Sequence, residues 1–263
     1  MKSILITGAY GGMGLATVRA LRELGYRIFA LDRQLGEEIE GVTPIEVDLT
    51  DEKSVSSAFE RVRSEVDSLY AIIHFAGVYM LDSLVEMDSS DYDKIFDINV
   101  RGVYLVNKYF LPLLSSGSRI LITTSELATL DPLPFTGIYA ITKAALDKYA
   151  YSLRMELQLL GITVSVLRAG AVETGMIGAS TKALERFVEK TKLYSCNAKR
   201  FRSVVDSVES GAIPTSRLAK RVVKIIEKKK PRFAYKINRN ILLSLYGIMP
   251  RRLAFFVIKR ILK

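Results

Sequence analysis

The run Ser3-Ile4-Leu5-Ile6-Thr7-Gly8-Ala9-Tyr10-Gly11-Gly12-Met13-Gly14 decides the fold. Its first five residues read as a strand, and an amphipathic stretch, Met13–Leu24, reads as the helix that follows at once. Glycines at such a junction let the backbone turn tightly and approach an anion, which then rests on the positive N-terminus of the helix. A bare glycine-rich turn would have the same composition. The placement between a first strand and a first helix favours a pyrophosphate ligand, with Gly8, Tyr10, Gly12, Met13 and Gly14 as its candidate contacts.

Working outward, apolar runs at Arg27–Leu31, Pro44–Val47, Leu69–Phe75, Arg119–Thr123 and Thr163–Leu167 alternate with helical stretches. Those stretches are Glu52–Val66, Asp91–Leu114 and Tyr139–Leu160. Continuous apolar strands separated by helices predict a parallel sheet buried on both faces. Right-handed crossovers then make an α/β, doubly wound sheet, with ligands at the carboxyl ends of the strands. Thr215–Lys230 reads as a further helix and Arg232–Ile237 as a last edge strand, whereas Glu173 to Gly211 reads as irregular and polar-rich.

The composition narrows the chemistry. One cysteine, Cys196, excludes an internal disulfide framework and leaves too little sulfur for a structural zinc site. The one histidine, His74, sits in an apolar run and reads as a buried strand end, which leaves little room for a Ser-His-Asp mechanism. No charged leader precedes Ser3 and no apolar stretch is of spanning length, so a cytoplasmic protein is expected. The net charge of +10 is uneven: Arg217 to Lys263 carries fifteen Lys/Arg against one acidic residue, Glu227. The body is mildly acidic and the tail strongly basic, which points to an anionic partner surface.

Asp32 ends the second strand, 18 residues beyond Gly14. A carboxylate there can accept from both adenosine ribose hydroxyls and repels a 2′-phosphate, so NAD is favoured over NADP. Arg33 follows it, and a guanidinium in that place could instead hold the phosphate. NADP stays open.

Tyr139-Ala140-Ile141-Thr142-Lys143 places a tyrosine and a lysine on one helix face. Ser125 stands upstream at a strand end and Asn99 earlier in a long helix. Together with the glycine loop, these residues resemble the short-chain dehydrogenase/reductase family from Lys2 to about Glu227. The resemblance implies a Rossmann-like domain over 1–237, a variable substrate segment at about 175–211, and an added extension over 238–263. It implies that Tyr139 exchanges a proton with an alcohol or carbonyl oxygen, that Ser125 hydrogen-bonds that oxygen, and that Lys143 also holds the nicotinamide ribose. It implies too that Asn99 kinks its helix and positions a relay water. Free tyrosine titrates near about pH 10, and Lys143 with the nicotinamide ring is expected to lower it. Asp48 and Leu49 resemble the adenine contacts, Ala76-Gly77 the adenosine ribose contact, and Gly170, Val172 and Thr174 the carboxamide contacts.

The chain departs from the family pattern in four places. Phe75 stands where an asparagine usually ties adjacent strands, Ala169 replaces a proline, and Thr142 replaces a serine. The Ser125–Tyr139 spacing is one residue longer than usual, with Glu126 at the usual distance.

Met176, Ile177, Leu184, Phe187, Val188 and Leu193 are apolar at roughly helical spacing and either cover a greasy substrate or pack on the body. Leu133-Pro134-Phe135 would add an apolar wall. In the last helix Arg251, Arg252, Lys259, Arg260 and Lys263 oppose Leu253, Ala254, Val257, Ile258 and Ile261, with Phe255 and Phe256 near the basic side. Such a helix lies in a membrane interface or packs on the body or a second subunit. The expected partners are a lipophilic alcohol or carbonyl substrate, a homodimer or homotetramer through the long helices, and a membrane surface as one alternative for the tail; nucleic acid is not expected. The rival readings are an NADP-dependent ketoreductase of acyl thioesters and a non-catalytic NAD sensor.

Overall fold

The computed structural model describes residues 1–209 and 211–263, without the side chains of 175–180 and 208–209. Among the described residues seven strands form one parallel sheet. They are β1 (Ser3–Thr7), β2 (Arg27–Asp32), β3 (Val42–Glu46), β4 (Ala71–His74), β5 (Arg119–Ser125), β6 (Thr163–Ala169) and β7 (Ala234–Ile237). The order is β3-β2-β1-β4-β5-β6-β7, so the winding reverses between β1 and β4. A crevice opens at such a reversal, outside the carboxyl ends of the strands.

The helices are α1 (Gly12–Glu23), α2 (Glu52–Arg63), α3 (Ser89–Phe96), α4 (Gly102–Phe110), α5 (Gly137–Leu157), α6 (Gly175–Lys190), α7 (Ser195–Glu209), α8 (Thr215–Ile226), α9 (Ile241–Ile248) and α10 (Arg251–Leu262). Two apolar clusters explain why the strands read as unbroken apolar runs. Leu5, Phe29, Leu31, Ile72 and Ile120 point to the face covered by α2, α4 and α5. Their neighbours Ile4, Ile6, Ile28, Ile73 and Leu121 point to the face covered by α1 and α8. Successive side chains alternate sides, so a sheet coated on both faces keeps the middle of its central strands apolar.

The structure corrects two sequence expectations. Asp91–Leu114 is not one helix: a π-turn at Asp97–Arg101 separates α3 from α4, and a 3₁₀ turn, Leu111–Leu113, follows α4. The stretch read as irregular between Glu173 and Gly211 forms α6 and α7. These two are amphipathic helices with mostly polar outer faces, and Leu184, Phe187, Ala198, Phe201 and Val205 supply the inner face. Leu193, expected over the substrate or against the body, is exposed between them, and the side chains of Met176 and Ile177 lie outside the described residues. The tail, left open to lipid, the body or a second subunit, packs on the body through part of its surface. Leu243 and Leu262 join the cluster of α6 and α7, and Asn197 Nδ2 donates to the Leu262 carbonyl at 2.7 Å.

His74 ends β4 fully buried, with Nε2 3.0 Å from Asn107 Oδ1. Burial pushes its pKa down to about 4, so it is a neutral core group. The unfolded chain takes up this proton near pH 6.5 and the folded chain only near 4. Stability is therefore complete above the unfolded value and is lost as pH falls through that window. We expect wild type to lose on the order of 2–3 kcal/mol more than His74→Gln between pH 7 and pH 4.5. Urea unfolding at the two pH values checks this, and equal losses would assign the acid sensitivity elsewhere.

Candidate active site

The glycine loop is packed to the limit of what backbone allows. Gly8 has φ +66, and a Cβ there would stand 2.5 Å from the Ala76 nitrogen. A Cβ on Gly14 would stand 2.0 Å from the Gly8 carbonyl oxygen, and one on Gly12 2.9 Å from the Thr174 side chain. The loop thus lies directly on Ala76 and Thr174. The first turn of α1 carries no acidic residue, so its partial positive charge is not neutralised from within.

Beside this loop runs a groove of about 590 Å³. It is lined by Gly8, Tyr10, Gly12, Met13, Gly14, Asp32, Arg33, Asp48, Leu49, Ala76, Gly77 and Thr174, all singled out from sequence. Asp32 Oδ2 accepts from the Tyr10 amide at 2.9 Å and Oδ1 from the Arg33 amide at 2.8 Å, which fixes the carboxylate at the groove wall. Asp48 Oδ1 accepts from the amide and hydroxyl of Thr50, and these bonds, helped by Arg33, hold its pKa low. Lys94 and Ile98 also line the groove. Sequence reading did not name them: Lys94 lies in the last turn of α3 and Ile98 in the π-turn that follows, both far in sequence from the glycine loop. The cradle that no Cβ could enter, the uncompensated helix end and the groove together fit a dinucleotide.

The chemical residues converge at the ends of β4, β5 and β6. Tyr139, in the first turn of α5, hydrogen-bonds Ser125 at the end of β5. Lys143 lies one turn on, with Nζ 5.6 Å from the Tyr139 ring centre and 3.5 Å from the Thr123 carbonyl it donates to. Asn99 lies in the π-turn, a local widening that often marks functional positions. Its Oδ1 accepts from the Val78 amide at 2.8 Å, and its Nδ2 donates to the Val78 carbonyl and to Thr142 Oγ1. Asn99 Oδ1 and Lys143 Nζ lie 3.1 and 3.3 Å from the point a Gly77 Cβ would occupy.

Lys143 and a bound nicotinamide ring together are expected to lower the tyrosine pKa; the chain by itself raises it. Burial dominates and pushes Tyr139 up to about 12, against the lowering by Ser125. Burial also brings Lys143 down to about 8. At neutral pH the tyrosine is therefore a protonated phenol.

A second cavity, of about 170 Å³, holds Ser125, Tyr139 and Lys143 in its wall. The remainder is largely apolar, with Leu127, Leu133, Val172, Phe201, Val204 and Leu243. The α7 residues and Leu243 escaped sequence reading, since no local signal ties the tail to the catalytic strand. Phe135 does not line this cavity; it holds φ 66 and packs on Phe187, Tyr194 and Phe201. Glu126 also lines the cavity, but its Oε2 accepts from the Asn240 amide at 2.8 Å, which fastens the start of α9 to the residue after Ser125. Gly170 lies under the Asn238 carbonyl, and Asn238 Nδ2 donates to the Ala171 carbonyl at 2.7 Å. Phe75 lines both spaces; the Thr123 hydroxyl beside it is buried without a hydrogen-bond partner among the described residues.

Comparisons with known proteins agree with this arrangement. The short chain dehydrogenase profile matches residues 2–185. Estradiol 17-beta-dehydrogenase 2 of Mus musculus is 32% identical over 68% of this chain and 50% of its own. The chain spans about half to two thirds of the length of such relatives. The 3-ketodihydrosphingosine reductase of Bacteroides thetaiotaomicron is 26% identical over 89% of this chain and 87% of its own. The 3-ketoacyl-(acyl-carrier-protein) reductase of Brucella melitensis, solved with NADH, shares the fold with a TM-score of 0.72 at 20% identity, over 90% of this chain and 96% of that one. Sheet order, glycine loop and profile match lead to one assignment: the chain belongs to the short-chain dehydrogenase/reductase family.

Proposed function

We propose that this chain is an NAD(H)-dependent oxidoreductase that interconverts a lipophilic ketone and its secondary alcohol, and that it favours reduction at neutral pH. The observation that carries this reading is that groove and cavity share Met13, Phe75, Gly77 and Thr174. A dinucleotide lying along the groove therefore leads into the space that Ser125 and Tyr139 face. When bound, the nicotinamide supplies the hydride or accepts it. Ser125 orients the carbonyl oxygen, and Tyr139 gives it the proton. Protonation of Tyr139 up to about pH 12 supports the reductive direction. Lys143, while charged, stabilises the phenolate left behind.

The apolar lining supports a lipophilic substrate, and the named relatives act on an estradiol and a ketodihydrosphingosine. Exposed Tyr104 on α4 and Tyr151 and Met155 on α5 support a homodimer or homotetramer through these helices.

The second reading is NADP(H), favoured by Arg33 in the groove wall. Fluorescence titration with NADH and NADPH decides between them. Asp32 is expected to hold NADH more tightly, and Asp32→Ser should weaken NADH on the order of tenfold or more, the loss of charge-assisted hydrogen bonds. Tighter binding of NADPH by wild type would give the site to Arg33, and binding of neither would overturn the proposal.

A further inference from the structure

We infer that the outward face of α9 and α10 docks on an anionic lipid bilayer, and that this places the substrate cavity beside the membrane. The sequence left the apolar side of the last helix, Leu253, Ala254, Val257, Ile258 and Ile261, open to lipid, the body or a second subunit. The structure divides it, with Leu253 and Ile261 exposed. Ala254, Ile258 and Leu262, spaced by four, face the body and pack with α7. Phe255 and Phe256 face out, 69% and 61% exposed.

The preceding helix behaves in the same manner. Leu243 and Tyr246 of α9 face inward, and Leu243 lines the substrate cavity. Ile241, Leu242, Leu245 and Ile248 face outward, with Ile241 and Ile248 at 74% and 79% exposed. Positions 241, 245 and 248 share one helix face at a spacing of 3.6 residues per turn. With Leu253 and Ile261 also exposed, the two successive helices present eight large apolar side chains, far more than a scattered surface leucine.

The charge around these side chains selects the occupant. Arg239, Arg252, Lys259, Arg260 and Lys263 accompany them, Arg251 is paired with Asp131 at 3.4 Å, and no acidic residue follows Glu227. On α10 the phenylalanines alternate with cations at helical spacing, Arg252-Phe256-Arg260 and Phe255-Lys259-Lys263. Two copies of so basic a face repel one another. An anionic bilayer offers both hydrocarbon for the phenylalanines and isoleucines and phosphates for the cations.

The position of α9 extends the argument, and this step rests on the proposed lipophilic substrate. One side of the helix meets lipid and the other is cavity wall. Glu126 fastens its first turn to the residue after Ser125. A ketone dissolved in the bilayer would thus reach the catalytic tyrosine around or past a single helix.

The test is co-sedimentation of the full chain with vesicles of phosphatidylcholine alone or mixed with phosphatidylglycerol, without cofactor or substrate. Wild type is expected to sediment with the mixed vesicles and not with phosphatidylcholine alone. Phe255→Ser with Phe256→Ser should lower partitioning on the order of tenfold. Arg252→Gln, Lys259→Gln and Arg260→Gln together should lower it on the order of a hundredfold, about fivefold for each charge. The substituted side chains are exposed, so melting temperature and turnover of a water-soluble ketone should stay at wild-type values. Wild type left in the supernatant, or both variants partitioning like wild type, would overturn the inference. So would a dimer that the phenylalanine variant dissociates and that ignores vesicles. Because vesicle binding is read without NADH, its failure leaves the oxidoreductase proposal untouched, and the reverse also holds.

Discussion

Tyr139→Phe is expected to lower kcat/KM for ketone reduction on the order of 10²–10⁴-fold, the usual worth of a positioned proton donor. NADH affinity and folding should stay near wild type. The substitution removes one oxygen from a buried, largely apolar wall and leaves the ring in its contact with Tyr79, whose centre is 4.8 Å away. It costs the hydrogen bond with Ser125, roughly 1 kcal/mol, partly offset because a buried hydroxyl no longer needs a partner. The pH profile separates the donor from its neighbour. Tyr139 stays protonated up to about 12, so its own ionisation does not limit reduction at ordinary pH. Lys143 titrates at about 8 and is charged below that value. Reduction by wild type should therefore weaken as pH rises through about 8, when no ammonium supports the new phenolate. Steady-state rates at several pH values measure both effects. A Tyr139→Phe enzyme within tenfold of wild type would remove the tyrosine from the mechanism.

Gly14→Ala should abolish useful cofactor binding, with NADH affinity down by about 100-fold or more and the protein destabilised by on the order of 1–3 kcal/mol. The new Cβ meets only backbone: the Gly8 oxygen at 2.0 Å, the Ala9 Cα at 2.8 Å and the Ala9 carbonyl carbon at 2.9 Å. None of these can rotate away as a side-chain tip could. The loop cannot retreat either, because Gly8 already lies against Ala76. The contrasting variant is Gly11→Ala, whose Cβ finds its nearest neighbour, the Gly8 oxygen, at 3.4 Å. It should fold and bind NADH within a few-fold of wild type. Equal behaviour of the two variants in thermal melts and NADH titrations would show that crowding at Gly14 is not what shapes the loop.

The doubly wound fold was legible because its signals are local. Ile4–Ile6 is apolar at every position, glycines follow Thr7 at once, and strand and helix periods alternate along the chain. The same locality made Ser125, Tyr139 and Lys143 readable, since a strand end and one helix turn set their spacing. It also left errors where period and composition mislead. The π-turn at Asp97–Arg101 leaves the apolar pattern of a long helix nearly intact, so Asp91–Leu114 looked continuous. The polar outer faces of α6 and α7 hid their buried sides, and the stretch looked irregular.

By itself the sequence determined the parallel sheet, the glycine cradle and the residues that surround Tyr139, because each follows from patterns within one or two adjacent elements. Tertiary structure alone decided the balance of charge and the walls of the cavity. The tyrosine pKa depends on how completely the surrounding elements bury it, and in the chain by itself burial outweighs the hydrogen bond with Ser125. Leu243 and Phe201 reach the cavity through contacts between segments far apart in the chain, and those contacts also turned Phe255 and Phe256 outward. A helical wheel gives the apolar stripe of one helix, but which stripe is covered depends on the helix it meets.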